Sequence, residues 1–440
     1  MSRRKKLQDN DRYYNILHRF VNFAIKSSYR SLKYIGTERI PKDSAIIFAP
    51  NHTGTLMDAL VILAMDNKPK VFIARADIFR NPKIANILKF CKMMPIMRMR
   101  DGIEEVKKNN KTIETAAGVL KDEVPLCIFP EGTHQAKYSM LPLSKGIFRI
   151  ALQAKELLGE KPLYIVPVGI RYGNFYRFRS SARVQFGNPI NVGEFIEEHS
   201  DRTAPEQINL MRELLAERMR ENIQFIPNDQ EYDAKSEICA AAYAPEYRKR
   251  KNGYANPLVG INKESAEHIE KLKNESPEVA EKLVALGNEA RKMRIAKGIS
   301  LKSVIRPRGI LLQAIRALLL LVTLPYTLFT TICTMPLTIV SVLLGKKFKD
   351  KAFLNSVRLV IRLLLWPLLF IIYTVIAALC LPKLWAIAFV VALLPAIAVT
   401  QDTYRAVRMA VSDFKLLCCK PLRQLYNEIR ETLGKSDSLF

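Results

Sequence analysis

The chain has 440 residues, 49% of them hydrophobic, with 68 Lys and Arg against 42 Asp and Glu and a formal net charge of +26. That apolar share exceeds what one soluble core requires, and the charge calls for an anionic partner, either nucleic acid or an acidic membrane surface. The seven cysteines are scattered without metal-ligand spacing, so they offer no metal centre and suit a part that faces a reducing cytoplasm.

In chain order, the N-terminus (Ser2-Arg3-Arg4-Lys5-Lys6) runs into a mixed charged stretch, so no cleavable signal peptide is expected. Residues 12–35 mix aromatic and aliphatic side chains with Arg and Lys at roughly helical spacing. This suits a basic amphipathic helix lying on a membrane, or equally a helix capping a domain. Apolar strand-like runs then alternate with helical patterns. Strands are expected at Ala45 to Ala49, Val71 to Ala74, Leu126 to Phe129, Leu163 to Ile170 and Arg183 to Phe186, and helices at Ile78 to Phe90, Glu104 to Leu120 and Leu141 to Leu158. Such alternation implies an α/β layer with a mostly parallel central sheet flanked by helices.

Polar residues follow the strand ends: His52 the first, Arg75 the second, Glu131 the third and Arg171 the fourth. Open α/β sheets bind ligands beyond the carboxyl ends of their strands, so one rim collecting a base, an acid and several cations reads as a site. For His52 alone, a helix N-terminal residue making local hydrogen bonds is the alternative.

Residues 203–300 are charged and helical (Gln207 to Gln224, Lys263 to Arg294) and read as an insertion or linker. Beyond Pro307 and Gly309, the runs Ile310 to Leu344 and Leu359 to Thr400 are almost free of acidic side chains and have membrane length. Pro325 and Pro336 interrupt the first, and Pro382-Lys383 splits the second into Leu363 to Leu381 and Leu384 to Val399. Basic residues flank both runs, Arg306, Arg308 and Arg316 before the first and Lys346, Lys347, Lys349 and Lys351 after it. This pattern predicts transmembrane or re-entrant helical hairpins with both ends on the cytoplasmic side.

The motif residues carry a resemblance. Asn51-His52 with Asp58, then Val71 to Phe79 followed by Met94-Pro95-Ile96-Met97-Arg98, then Phe129-Pro130-Glu131-Gly132-Thr133, then Ile165-Val166-Pro167-Val168, stand in the order and at the spacing of four sequence blocks. Over about residues 40 to 190 the chain resembles the glycerolipid acyltransferase superfamily, the glycerol-3-phosphate and 1-acyl-glycerol-3-phosphate O-acyltransferases. It departs in having five residues between His52 and Asp58, one more than usual, and in His134, where many lysophosphatidic acid enzymes carry arginine. Both features, with Leu141-Pro142-Leu143 before Lys145-Gly146 and the apolar C-terminal segments, are similar to a fungal-type glycerol-3-phosphate acyltransferase group.

The resemblance implies an acyltransferase domain at 41–202, preceded by an amphipathic region at 1–40. A charged helical region at 203–305, membrane-embedded helices at 306–402 and a basic cytoplasmic tail at 403–440 follow. It also implies an integral membrane enzyme of phospholipid biosynthesis, its catalytic domain on the cytoplasmic side. Such an enzyme moves a fatty acyl group from acyl-CoA or acyl carrier protein to glycerol-3-phosphate or its 1-acyl derivative, with membrane lipids as partners and no cofactor, metal or nucleic acid.

Residue chemistry supports this separately. Removing the acceptor's hydroxyl proton needs a base, which His52 supplies once Asp58 sets its tautomer. No Gly-x-Ser-x-Gly elbow is present, so direct attack by the alcohol is simpler than an acyl-enzyme. An acceptor phosphate calls for fixed cations, for which Arg75, Arg98 (or Arg100 in its place) and Lys145 are available, each with a surface-charge alternative. Glu131 is expected to orient acceptor hydroxyls or bond neighbouring backbone, Gly132 to let the chain pass close to substrate, and Thr133 belongs to the same block. The alternative from another class is a non-catalytic protein that binds anionic lipid, or an acyltransferase for another lysolipid.

Overall fold

A computed structural model describes residues 6–97, 109–249, 257–348, 351 and 353–434. The chain divides into two compact units, Met1–Ile223 with Asp350–Ser356, and Gln224–Lys349 with Val357–Phe440.

The first unit opens with helix α1 (Arg12–Ser28). Its N-cap Asp11 accepts from the Tyr13 and Tyr14 amides at 2.8 and 3.1 Å, satisfying donors that a first helical turn leaves open. Tyr14, His18, Asn22 and Ile25 form its buried face. His18 Nε2 lies 3.3 Å from the Leu63 carbonyl and Asn22 donates to that of Asp66 at 2.9 Å, so this face caps the end of helix α2 (Leu56–Leu63). The helix does not continue to residue 35. Tyr29 is extended, Arg30 N donates to Ser180 O at 2.9 Å, and Ser31–Ile35 forms strand β1. An edge strand with half-exposed side chains has no apolar run to announce it, and only its partner makes it a strand.

The other strands are β2 (Ala45–Pro50), β3 (Val71–Arg75), β4 (Met93–Ile96), β5 (Leu126–Cys127), β6 (Leu163–Tyr172), β7 (Ser181–Phe186) and β8 (Ile190–Asn191). Their order is β1-β7-β6-β2-β5-β3-β4, with β8 also on β6. From β6 to β4 all neighbours are parallel, while β7 and β8 run antiparallel to β6. The sheet is thus mostly parallel and mixed. All residues of β2 are buried, which is why its sequence Ala-Ile-Ile-Phe-Ala-Pro is continuously apolar instead of alternating. Pro167 lies inside β6 without weakening it, because it stands between the residues that pair with β8 and those that pair with β7. Its carbonyl accepts from Gly187 N at 2.9 Å.

Helices α3 (Pro82–Phe90), α4 (Asn109–Lys121), α5 (Gly146–Leu158), α6 (Val192–Glu198) and α7 (Ala204–Arg220) flank the sheet. Ala116 and Leu120 of α4, Phe148 and Ala151 of α5, and Met211 and Leu215 of α7 join Ile47, Val71 and Ile165 in one core. The first helix of the charged region therefore packs with the sheet. Helix α5 starts at Gly146 rather than Leu141, since Pro142 disfavours a helical residue before it.

The second unit contains α8 (Tyr232–Lys249), α9 (Pro257–Glu275), α10 (Pro277–Ala296), α11 (Leu301–Ile305), α12 (Ile310–Val322), α13 (Leu324–Gly345), α14 (Phe353–Cys380, from Val357 onward), α15 (Lys383–Leu393), α16 (Ala396–Cys418) and α17 (Lys420–Thr432). Ile238, Ile269, Leu283, Leu416, Leu422 and Tyr426 form its core. Beside it Glu237 accepts from Arg294 Nε and Nη2 at 2.7 and 2.9 Å and from the Tyr426 hydroxyl, a buried charge kept with its partners.

Helices α13 and α14 are long and apolar enough to cross a membrane, and α15 with α16, bent by 52° at the break, could make a third span. The break at Pro382 falls where the sequence placed it, and the others differ. The chain breaks at Thr323, ahead of Pro325, and α13 carries Pro336 inside it; a further break falls before Ala396, at Pro395. Proline at the first turn of a helix loses no hydrogen bond, which is why Pro325 starts a helix instead of interrupting one. Asp413 of α16 is buried, and its Oδ2 accepts from Arg308, Gln313 and Arg316 at 2.8, 2.9 and 3.1 Å. Two of the basic residues flanking the first apolar run are therefore paired.

Candidate active site

Strand β2 ends at Pro50, and Asn51 extends its pairing with a side chain. Asn51 Nδ2 donates to Ile170 O at 3.1 Å, and its Oδ1 accepts from Ile170 N at 2.6 Å. The amide satisfies the β6 backbone just where the main chain leaves the sheet, so residue 52 departs from a set position. The chain turns back through Thr53, Gly54 and Thr55. Thr55 has φ 54°, a left-handed conformation uncommon for a β-branched residue, and its hydroxyl lies 2.9 Å from Ser356 Oγ.

Helix α2 begins at Leu56, which places Asp58 in its first turn, where the helix dipole favours a negative charge. Asp58 is fully buried and accepts four hydrogen bonds. Its Oδ2 takes Thr53 N at 2.8 Å, Gly54 N at 2.7 Å and His52 Nδ1 at 2.7 Å, and its Oδ1 takes the Tyr172 hydroxyl at 2.8 Å. Four fixed donors compensate this carboxylate for its removal from water. With Nδ1 bonded to Asp58, the His52 ring presents Nε2 as its basic nitrogen.

The imidazole stacks on Phe129 with centroids 4.3 Å apart, and its side chain is 19% exposed. His134 meets it edge-on at 5.5 Å, and Phe353 meets His134 in turn at 5.4 Å. Apolar ring faces thus confine the base, while part of it stays open to a ligand.

Glu131 is buried, and each oxygen takes a backbone amide, Oε1 that of His52 and Oε2 that of Leu141, both at 2.8 Å. Of its two expected uses, bonding backbone is the one the geometry displays. Burial pushes its carboxyl up to about 7, against the pull of the Leu141 and His52 amides and of His52 itself. The native state therefore holds the Glu131 proton more tightly than the unfolded chain. Relative to Glu131→Gln, the protein should be most stable below pH 4.5 and lose on the order of 3 kcal/mol as pH rises through about 7. Thermal unfolding of both proteins across that window measures this, and a constant difference would show that Glu131 ionises without penalty.

The other expected residues are placed as follows. Gly132 has φ 65°, and a Cβ there would meet nothing within 4 Å, so the backbone conformation, not space, calls for glycine. Thr133 is exposed. Lys145 is exposed at the N-cap of α5. Arg75 closes β3, but its guanidinium is held by Asp77, Nε to Oδ1 at 3.0 Å and Nη2 to Oδ2 at 2.6 Å. Arg98 and Arg100 lie outside the described residues. The structure thus brings His52, Asp58 and Glu131 together, and it pairs Arg75 with Asp77. Among the described residues no group of three or more His, Cys, Asp or Glu converges as metal ligands would.

Sequence reasoning passed over Tyr172, Phe353 and Ser356. Tyr172 follows Arg171 at the end of β6 and could have been noticed as the next rim residue. Phe353 and Ser356 lie about 300 residues beyond the motif and left no signal there.

Residues 31–171 match the Acyltransferase family model. The chain is 30% identical over 171 residues to a 1-acyl-sn-glycerol-3-phosphate acyltransferase of Cocos nucifera, covering 38% of this chain and 51% of that protein. It is 38% identical over 65 residues to glycerol-3-phosphate O-acyltransferase 1 of Saccharomyces cerevisiae, covering 15% of this chain and 9% of that one. It therefore spans about half the length of the first relative and far less of the second. The crystal structure of the 1-acyl-sn-glycerophosphate acyltransferase PlsC from Thermotoga maritima aligns at 20% identity and a TM-score of 0.33, over 48% of this chain and 83% of that one. The matched stretch, residues 31–171, supplies strands β1 to β5 and nearly all of β6 and displays His52, Asp58 and Glu131, so what this part of the chain is similar to is an Acyltransferase domain.

Proposed function

We propose that this protein is a membrane-bound O-acyltransferase that moves a fatty acyl group from an acyl thioester to the free hydroxyl of glycerol-3-phosphate or of its 1-acyl derivative. The observation that carries the reading is the 2.7 Å bond from His52 Nδ1 to a buried Asp58, which leaves Nε2 as a base in a partly open site. Nε2 takes the acceptor's hydroxyl proton as the oxygen attacks the thioester carbonyl. The tetrahedral oxyanion then collapses, the C–S bond breaks, and the imidazolium returns the proton to the departing thiolate. Asp58 holds the ring's orientation and stabilises its charged form throughout.

In this reading Glu131 fixes the backbone under His52, and Gly132 and Thr133 border the acceptor. The acceptor phosphate is held by cations from Lys145, Arg75 and Arg98, with Arg75 moving between Asp77 and the phosphate. The acyl-CoA or acyl carrier protein is a co-substrate, and no cofactor takes part. Helices α13 and α14 support membrane residence, and the Lys and Arg flanking them support a cytoplasmic site.

The His134 position and the longer His52–Asp58 spacing favour glycerol-3-phosphate as acceptor, while the names of the relatives include both acceptors. The test is thiol release from acyl-CoA by the purified full chain in lipid, with glycerol-3-phosphate, with 1-acyl-glycerol-3-phosphate and with neither. Release dependent on one of the two acceptors is expected. Release indifferent to acceptor, or none with either, overturns the proposal.

A further inference from the structure

We infer that Tyr172 is a positioning residue for acyl transfer, holding Asp58 through its hydroxyl and so setting the orientation and proton affinity of His52. The inference rests on the acyltransferase reading above and deepens it.

The geometry is specific. Tyr172 is the last residue of β6, in register with Ala182 of β7, and it is 1% exposed. Its hydroxyl donates to Asp58 Oδ1 at 2.8 Å, while all three N–H donors around Asp58 share Oδ2. The two oxygens therefore have different tasks. Oδ2 faces the imidazole and the turn; Oδ1 has Tyr172 as its partner among the hydrogen bonds of the described residues.

Tyr172 is itself held on several sides. Its carbonyl accepts from the Tyr138 hydroxyl at 2.9 Å, and its ring stacks with Tyr29 at 6.0 Å and meets Phe175 edge-on at 6.2 Å. Burial, Asp58 and Tyr29 push its phenol well above the ordinary value, so it remains a donor throughout the range in which the enzyme would work.

Removing this donor leaves a buried carboxylate oxygen unsatisfied. The charge on Asp58 is then less shared, and it favours the imidazolium form of His52 more strongly. At a given pH less of the base is free, and the carboxylate can rotate. The titratable groups facing this cluster are Glu131 on the His52 amide, His134 beside its ring, Tyr29 behind Tyr172, and Cys127 on β5.

Tyr172→Phe keeps the ring and its packing. With the full chain in lipid and the same acyl-CoA assay, it should lower kcat about tenfold, leave KM for donor and acceptor within about twofold, and move the acidic limb of the kcat/KM profile to higher pH. Tyr14→Phe, which removes a buried hydroxyl from helix α1 away from Asp58 and Tyr172, is the control and should leave the profile unmoved. If wild type turns over and Tyr172→Phe reproduces its kcat and pH profile, the inference is overturned. It is overturned equally if Tyr14→Phe shifts the profile as much, because the hydroxyl on Asp58 would then have no special effect. If wild type fails to turn over with either acceptor, it is the acyltransferase reading that fails.

Discussion

His52→Ala should lower acyl transfer by about a thousandfold while leaving the protein folded. General-base removal typically costs two to four orders of magnitude in rate, and here no neighbour can take over the task. Glu131 has both oxygens on backbone amides, and Asp58 is buried with its oxygens on the Thr53, Gly54 and Tyr172 donors. His134 stands closest, 5.5 Å away by ring centroid and edge-on to His52, but it is His52 that holds the bond to Asp58. Stability should change little in comparison, because the ring is only partly buried and the loss of one hydrogen bond leaves Asp58 with three others. The measurement is acceptor-dependent thiol release alongside a thermal melt of the same preparation. Activity within tenfold of wild type would remove His52 from the chemistry.

Gly54→Ala should be nearly as damaging by a different route. A Cβ at this position would stand 2.7 Å from Tyr172 Cε2 and 2.8 Å from Asp58 Oδ1, well inside contact distance. Neither neighbour can retreat. The Tyr172 ring is packed in the sheet end, and Asp58 is fixed by four hydrogen bonds. Relief must come from the turn itself, which carries the Thr53 and Gly54 amides that hold Asp58 and begins at His52. A misplacement of about 1 Å at a reacting group can cost a hundredfold, and a fall in kcat of at least about that size is expected. A variant with ordinary kcat would show that the turn opens freely and that the carboxylate does not depend on it.

Much of this site could be read along the chain, for a physical reason. His52 and Asp58 are close in sequence and belong to one turn, so their spacing alone brings them together. Glu131 follows an apolar run that could only be a buried strand, and parallel strands deliver their carboxyl ends to one rim. Other features were local yet overlooked: Arg75 and Asp77 are two residues apart, and their pairing changes what Arg75 offers a phosphate. The membrane-length runs and the break at Pro382 were plain from the sequence, but not the other breaks, because a proline can interrupt a helix in one place and start one in another.

What the amino-acid order determined by itself is the set of short-range facts: the strands, the histidine with its acid, the apolar helices and the excess of positive charge. Each arises from residues within one turn or one strand, where periodicity and spacing act directly. The tertiary structure alone decided that Ser31–Ile35 is a strand, that Tyr172 holds the far oxygen of Asp58, and that Glu131 secures two backbone amides. Those contacts join residues from ten to more than a hundred positions apart. They depend on strand order and register, which set face and neighbour by a single residue's shift and which no local pattern encodes.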